Sequence, residues 1–118
     1  MSSNERIVLF IHVLAELTAG TILLLSPTIF NSDATLSHLE SLRGVGNGAI
    51  SIGLVGVALL NMKKTSQIHQ KKVLFGIIAQ YHCFVVWLQL RHPIPGMEIV
   101  APGFHGLLAL YFLQKLIH

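Results

Sequence analysis

The chain has 118 residues, of which 53% are hydrophobic and 11% are charged, and its mean hydropathy is +0.67. This composition lies far from that of soluble proteins and predicts one integral membrane domain over residues 1–118. The formal net charge of +3 does not indicate a nucleic-acid partner, because the basic residues occupy short connections and form no long patch. The single cysteine, Cys83, excludes an intrachain disulfide and a CxxC motif.

The first apolar run covers residues 7–25 and contains His12 and Glu16. A helix rises about 1.5 Å per residue, so this run is long enough to cross the hydrocarbon core of a bilayer. His12 and Glu16 have the spacing of one helical turn and therefore share a helix face. A carboxyl group near the middle of a bilayer costs about 2.5 to 3.5 kcal/mol on insertion scales. We therefore expect Glu16 to face other parts of the protein.

The connection of residues 28–42 has two open interpretations. Its leucines have the spacing of a short amphipathic helix at the membrane interface, with Asp33 as the N-cap. A plain polar loop is the other interpretation.

The second span, residues 44–60, is unusually rich in small residues. In lipid, small residues allow helix backbones to approach closely, and Gly44 with Gly48 has the small-xxx-small spacing that favours such packing. Asn47 lies beside this pair and can donate hydrogen bonds to a neighbouring helix or to a ligand.

The segment of residues 61–72 is the most polar one and contains four lysines without an acidic residue. The positive-inside rule places it in the cytoplasm, or on the matrix or stromal side of an organelle membrane. With four spans, both termini share that side. The basic residues then on that side are Arg6, Lys63, Lys64, Lys71, Lys72 and Lys115, against Arg43 and Arg91 opposite.

The third span, residues 73–90, contains Gln80, Tyr81 and His82, and the fourth, residues 101–117, contains His105. Short connections between four spans are typical of up-down-up-down topology. The predicted fold is therefore all-α, an integral membrane four-helix antiparallel bundle.

The expected depth of each ionisable residue in the membrane shows which residues of different spans can contact one another. Counted from the basic side, Glu16 and His82 each lie roughly 14 Å deep and His105 roughly 18 Å deep, so these three can meet. Ionisable groups at such depth indicate a functional site. We assign catalytic roles to Glu16, His82 and His105 on this basis. The candidate ligand-binding residues are His12, Asn47, Gln80 and Tyr81.

Four chemistries use such groups. Glu16 and a histidine can exchange protons with a lipophilic substrate, as in an isomerase, cyclase or hydrolase. A haem between His82 and His105 is an alternative that needs a wide gap between helices. A carboxylate with two or three histidines can bind iron or zinc, but the chain has no HExxH or ExxH motif, so no metal site is predicted. A Glu and His chain that relays protons or an ion would need a homo-oligomer.

The function that we predict is the binding, and conversion by acid/base chemistry, of a hydrophobic small molecule in an intramembrane polar pocket. No cofactor is part of this prediction, and membrane lipid is the surrounding partner. The alternative is a non-catalytic accessory subunit of a larger membrane protein complex, in which Glu16 and the histidines form a structural network.

Overall fold

The computed structural model describes residues 1–62 and 68–117. Within these ranges every regular element is helical, and four of the helices are long and apolar enough to cross a membrane. The predicted all-α class with four membrane-length helices is thus confirmed. The helices are α1 (Ser3–Leu25), α2 (Leu36–Asn61), α3 (Ile68–Arg91) and α4 (Val100–Ile117), with one 3-10 turn at Pro27–Ile29.

Helix α1 begins earlier than its apolar run because polar residues cap it. The Ser2 hydroxyl accepts a hydrogen bond from the Glu5 backbone N–H at 3.2 Å, and the Glu5 carboxylate accepts one from the Ser2 N–H at 2.6 Å. This reciprocal capping box satisfies two backbone donors that the first turn leaves without helical partners. The helix ends at Leu25, before Ser26 and Pro27.

Helix α2 includes the last part of the predicted connection, residues 36–42. The amphipathic stretch is helical, but it is continuous with the second span instead of forming a separate interfacial helix. Its N-terminal hydrogen bond runs from the His38 N–H to the Thr35 hydroxyl at 3.4 Å, so the expected cap at Asp33 is wrong. Asp33 lies too early in the chain to cap this helix. It belongs to a turn in which its backbone N–H donates a hydrogen bond to the Asn31 side-chain oxygen at 3.2 Å.

Contacts divide the chain into two compact units, Met1–Asn61 and Met62–His118, each a helical hairpin. The prediction of one domain over the whole chain stays a prediction. Part of the predicted lysine-rich loop, residues 63–67, lies outside the described residues.

In the first hairpin, glycines of α2 allow close packing against α1. A Cβ on Gly46, Gly53 or Gly56 would lie under 3.0 Å from an atom of α1. The contacted α1 residues, taken along α2, are Gly20, Leu17 and Val13, which is antiparallel order. The predicted pair of Gly44 and Gly48 does not form this face, because Gly44 is exposed and no described atom lies within 4 Å of its potential Cβ.

In the second hairpin, aromatic and polar contacts join α3 to α4. Phe75 stacks on Phe112 with a ring-centroid distance of 5.8 Å, and His82 contacts His105 nearer the other end of α3. These pairs also run in antiparallel order. Near the start of α3, the Lys72 ammonium donates to the backbone carbonyl of Leu116 at 3.3 Å. This bond satisfies one of the carbonyls that the end of α4 leaves without helical partners.

The exposed surface of α3 carries a group of aromatic and basic side chains near the C-terminal end of the helix. The Arg91 guanidinium lies 5.0 Å from the centroid of the Trp87 ring, and Phe84 stacks on the same indole. Cys83 is also exposed, directly after the buried His82. The connection to α4 then turns at Gly96, whose φ of 79° lies in the left-handed region that glycine adopts without steric cost.

Candidate functional site

The first hairpin buries two ionisable side chains within α1. His12 is 0% exposed and Glu16 is 2% exposed, and both lie in the interior of a helix apolar enough to cross a membrane. They occupy one face, as their spacing predicts. Burying such groups is costly unless hydrogen bonds or opposite charges compensate them. Their positions are therefore not explained by hydrophobic burial.

Glycines of α2 create the space for these two side chains. A Cβ on Gly56 would lie 3.1 Å from His12 Cδ2 and 3.4 Å from His12 Nε2, and one on Gly53 would lie 3.5 Å from Glu16 Cβ. The absence of a side chain at Gly56 thus lets the imidazole lie against the α2 backbone. The same face of α2 that brings the helices together also accommodates the polar residues.

The second hairpin contains a direct contact between two candidate catalytic residues. His82 Nδ1 and His105 Nδ1 are 2.9 Å apart, which is a hydrogen-bond distance. His82 is completely buried and His105 is half-buried. We call this pair the histidine dyad. The depth argument, which predicted that these residues of different spans could meet, is correct for this pair.

Aromatic rings surround the dyad. The ring of His82 lies nearly parallel to that of Phe112, at 6° and a centroid distance of 6.2 Å, and Tyr81 contacts it edge-on at 5.3 Å. Phe104 contacts His105 edge-on at 5.5 Å. These contacts restrict the orientation of both imidazoles. Packing therefore helps the hydrogen bond to keep the two Nδ1 atoms facing each other.

The dyad geometry does not fit a haem ligated through its facing nitrogens. A metal–imidazole bond is about 2.0 Å long, so two histidines on opposite faces of a haem hold their ligating nitrogens about 4 Å apart. The two Nδ1 atoms are closer, at 2.9 Å, and they contact each other directly. Proton exchange between the rings is the chemistry that this arrangement does allow.

The remaining predicted residues differ in their surroundings. Tyr81 contacts His82, whereas Asn47 and Gln80 have exposed side chains on α2 and α3. Ligand contact by these residues and by His12 stays a prediction. Glu16 and the dyad belong to different hairpins, and their predicted meeting likewise stays a prediction.

Sequence reasoning missed the aromatic support of the dyad and the glycines beside His12 and Glu16. Phe112 follows His105 by two helical turns, and Phe75 precedes His82 by the same interval, so each phenylalanine shares a helix face with its histidine. That spacing could have identified the two phenylalanines as neighbours of the histidines from the sequence alone. For the glycines, counting from Gly46 with intervals of three and four residues leads to Gly53 and Gly56, whereas the pair at Gly44 and Gly48 lies on another face.

A cavity of about 280 Å³ lies at the start of the second hairpin, away from the dyad. Its lining is almost entirely apolar, and it contains none of the predicted site residues. The lining residues are Met62, His69, Gln70, Val73 and Leu74.

Comparisons of the chain with protein-family models, with curated proteins and with solved structures give no match. The assignment of function therefore depends on the chemistry of the residues themselves.

Proposed function

We propose that this chain is a small integral membrane protein that binds a lipophilic small molecule and exchanges protons with it. The observation that carries the proposal is the burial of His12, Glu16 and His82, with exposed fractions of 0%, 2% and 0%, in helices of membrane-spanning length. Ionisable residues are rare inside membrane spans because of their cost, and they mark substrate or proton pathways there.

Both hairpins contain groups that can exchange protons. Glu16 is the general acid or base, because a carboxyl group is the strongest acid among the buried groups of α1 and α2. The dyad supplies two imidazoles, whose ordinary pKa lies near neutrality and suits proton transfer. A hydrophobic molecule reaches such groups directly from the bilayer, so the substrate class is a lipid-soluble compound with a polar or acidic centre.

The proposed orientation places both termini on the cytoplasmic side, or on the matrix or stromal side of an organelle membrane. Lys71, Lys72 and Lys115 support it, because they lie at the same end of the second hairpin. Arg6, in the first turns of α1, adds to the positive charge expected on that side.

A second candidate function is that of a non-catalytic accessory subunit. The observation that favours it is the direct dyad hydrogen bond, which links α3 to α4 and satisfies one polar atom of each imidazole. Such interhelical bonds contribute roughly 0.6 kcal/mol on average in membrane proteins. In this function the polar residues stabilise helix packing, and the exposed apolar surface contacts other subunits.

Purification with compound analysis separates the two candidates. The full chain is extracted in mild detergent, and bound lipophilic compounds are identified by mass spectrometry. We expect the wild-type protein to be stable alone and to retain one compound at near-stoichiometric amounts. Glu16→Gln should lose the compound, because an amide keeps the size of the side chain but cannot transfer a proton or carry charge.

Glu40→Gln is the matched control, since Glu40 is an exposed residue of α2. It should retain the compound as the wild-type protein does. Equal retention by the wild-type protein and Glu16→Gln would contradict the acid/base role. Recovery of the chain only together with other protein chains would favour the accessory subunit.

A further inference from the structure

The hydrogen bond of the dyad imposes a rule on its protons. At 2.9 Å, one Nδ1 must carry a hydrogen and the other must offer a lone pair. A neutral imidazole has one N–H, so the two neutral rings must be opposite tautomers. The donor ring then has a lone pair at Nε2, and the acceptor ring has an N–H at Nε2.

This rule makes the two Nε2 atoms chemically opposite. A group that meets Nε2 of the donor ring has to give a proton or a hydrogen bond, and a group that meets Nε2 of the acceptor ring has to accept one. Reversing one ring reverses the other, because the shared hydrogen between the Nδ1 atoms has only these two positions. The tautomers of His82 and His105 are therefore coupled.

From this coupling we propose that the dyad is a proton relay between half-buried His105 and buried His82. This inference rests on the proposed function, for which it names the route by which protons enter and leave buried His82. The dyad is suited to it because the donor and acceptor atoms are already in contact and packing holds both rings. No ring movement is needed for the transfer itself.

The relay balances its protons at each step. With His105 as the donor ring, a proton binds at His105 Nε2 and makes that ring an imidazolium. The hydrogen on His105 Nδ1 then passes to His82 Nδ1, so the positive charge moves to His82. Transfer of the proton from His82 Nε2 to a basic atom of the bound lipophilic molecule completes the step.

One proton has entered and one has left, and no electron has been transferred. Both tautomers are reversed at the end, so the same steps run backwards return a proton from His82 to His105. The relay thus alternates between delivering and removing a proton at His82, which is what an acid/base group needs over one catalytic cycle.

Nuclear magnetic resonance on the full chain, labelled with 15N-histidine in detergent and without added ligand, tests the inference. We expect one of the two residues to have a protonated Nδ1, and we expect a scalar coupling between the two Nδ1 nitrogens across the hydrogen bond. Transfer of saturation from water to the His82 N–H should be visible. A protonated Nε2 on both neutral rings, with no coupling, would overturn the proposal.

His105→Phe should remove the water exchange at His82, because phenylalanine keeps an aromatic ring but has no nitrogen. His105→Gln provides a second variant, since an amide can hydrogen-bond yet does not carry protons readily. His92→Phe is the matched control, because His92 is exposed beyond the end of α3. Unchanged exchange at His82 in His105→Phe or His105→Gln would also overturn the relay.

These measurements are separable from those on ligand retention. A wild-type protein with coupled tautomers and no retained compound would leave the relay intact and contradict the proposed function. A protein that retains a compound but has two uncoupled histidines would contradict the relay and leave the proposed function intact.

Discussion

Gly20 and Gly46 lie in backbone contact: a Cβ on either residue would stand 2.8 Å from the carbonyl oxygen of the other. Real Cβ atoms do not approach backbone atoms that closely, and a backbone cannot rotate away as a side chain can. The approach of α1 and α2 in the first hairpin therefore requires that both positions lack a side chain. Close approach of this kind lets Cα–H groups and carbonyl oxygens of neighbouring membrane helices interact.

The first prediction concerns Gly46→Ala, which should lower the stability of the first hairpin by about 1–3 kcal/mol through overpacking. A potential Cβ there also lies 2.8 Å from the backbone nitrogen of Leu24. Thermal unfolding in detergent measures the effect. Gly44→Ala is the control, because the described structure has open space at that position. A control that loses as much stability as Gly46→Ala would show that helix propensity or detergent contact, not the glycine contact, decides the result.

The second prediction separates a functional from a structural Glu16. Glu16→Leu removes an ionisable group from a membrane span, and such a removal favours the folded protein if the carboxyl group serves mainly for function. We expect a thermal midpoint equal to or above that of the wild-type protein, together with loss of the retained compound. A structural Glu16 would give the opposite pattern: a nearly silent Glu16→Gln and a destabilised Glu16→Leu, in which former partners are left unsatisfied.

The third prediction is topological. In a Cys83→Ala background, single cysteines at Ser2 and Ser32 should react with a membrane-impermeant reagent from opposite sides, because α1 lies between them. A cysteine at His92 should react from the same side as the one at Ser32. Labelling of intact and opened vesicles distinguishes the sides. Reaction at positions 2 and 32 from one side would rule out α1 as a span.

The fourth prediction concerns the connection between α3 and α4. Hydrogen bonds from its own backbone N–H and from that of Gly96 lower the pKa of Glu98. The Gly96 N–H lies 3.0 Å from the Glu98 carboxylate, and this bond weakens when the carboxylate is protonated. Since the pKa is lowered, the contact should be present above the usual glutamate range and be lost as the pH falls through the lowered value.

The chemical shift of the Gly96 amide against pH measures this transition. Its midpoint should lie below the usual glutamate pKa, because the backbone hydrogen bonds favour the charged carboxylate. Glu98→Gln should abolish the transition, which identifies the titrating group. A midpoint at or above the usual value would mean that the backbone hydrogen bonds do not stabilise the carboxylate in solution.

The helices were predictable from sequence because membrane spans require long apolar runs. The C-terminal ends of α3 and α4 lie within one residue of the ends of the predicted spans. For the start of α2 a helix and a polar loop were both open, because its leucines have helical spacing while its polar residues are typical of a loop, and its continuity with the second span was not predicted. No proline interrupts Leu36–Asn61 to separate the two parts. Residue spacing alone could not show that continuity.

The depth of the candidate site residues in the membrane was predictable from the sequence. The face that each helix packs against its neighbour was only partly predictable. Helical rise places His82 and His105 at similar heights, and the structure brings them into contact. The face that each helix turns toward its neighbour depends on packing with that neighbour. This is why the glycine contact was assigned to Gly44 and Gly48, when Gly46, Gly53 and Gly56 are the residues that meet α1. The same rotational freedom explains why Asn47 has an exposed side chain.

Cys83 offers a chemical measure of the surroundings of the dyad without any mutation. Its thiol is exposed and directly follows the buried His82, so it lies at nearly the same height on the outer surface of α3. A thiol surrounded by acyl chains reacts slowly with charged reagents, because charged, water-soluble compounds do not enter the hydrocarbon region. Lipid-soluble reagents do reach it. The ratio of the two labelling rates therefore reports how deep the neighbouring imidazole lies in the bilayer.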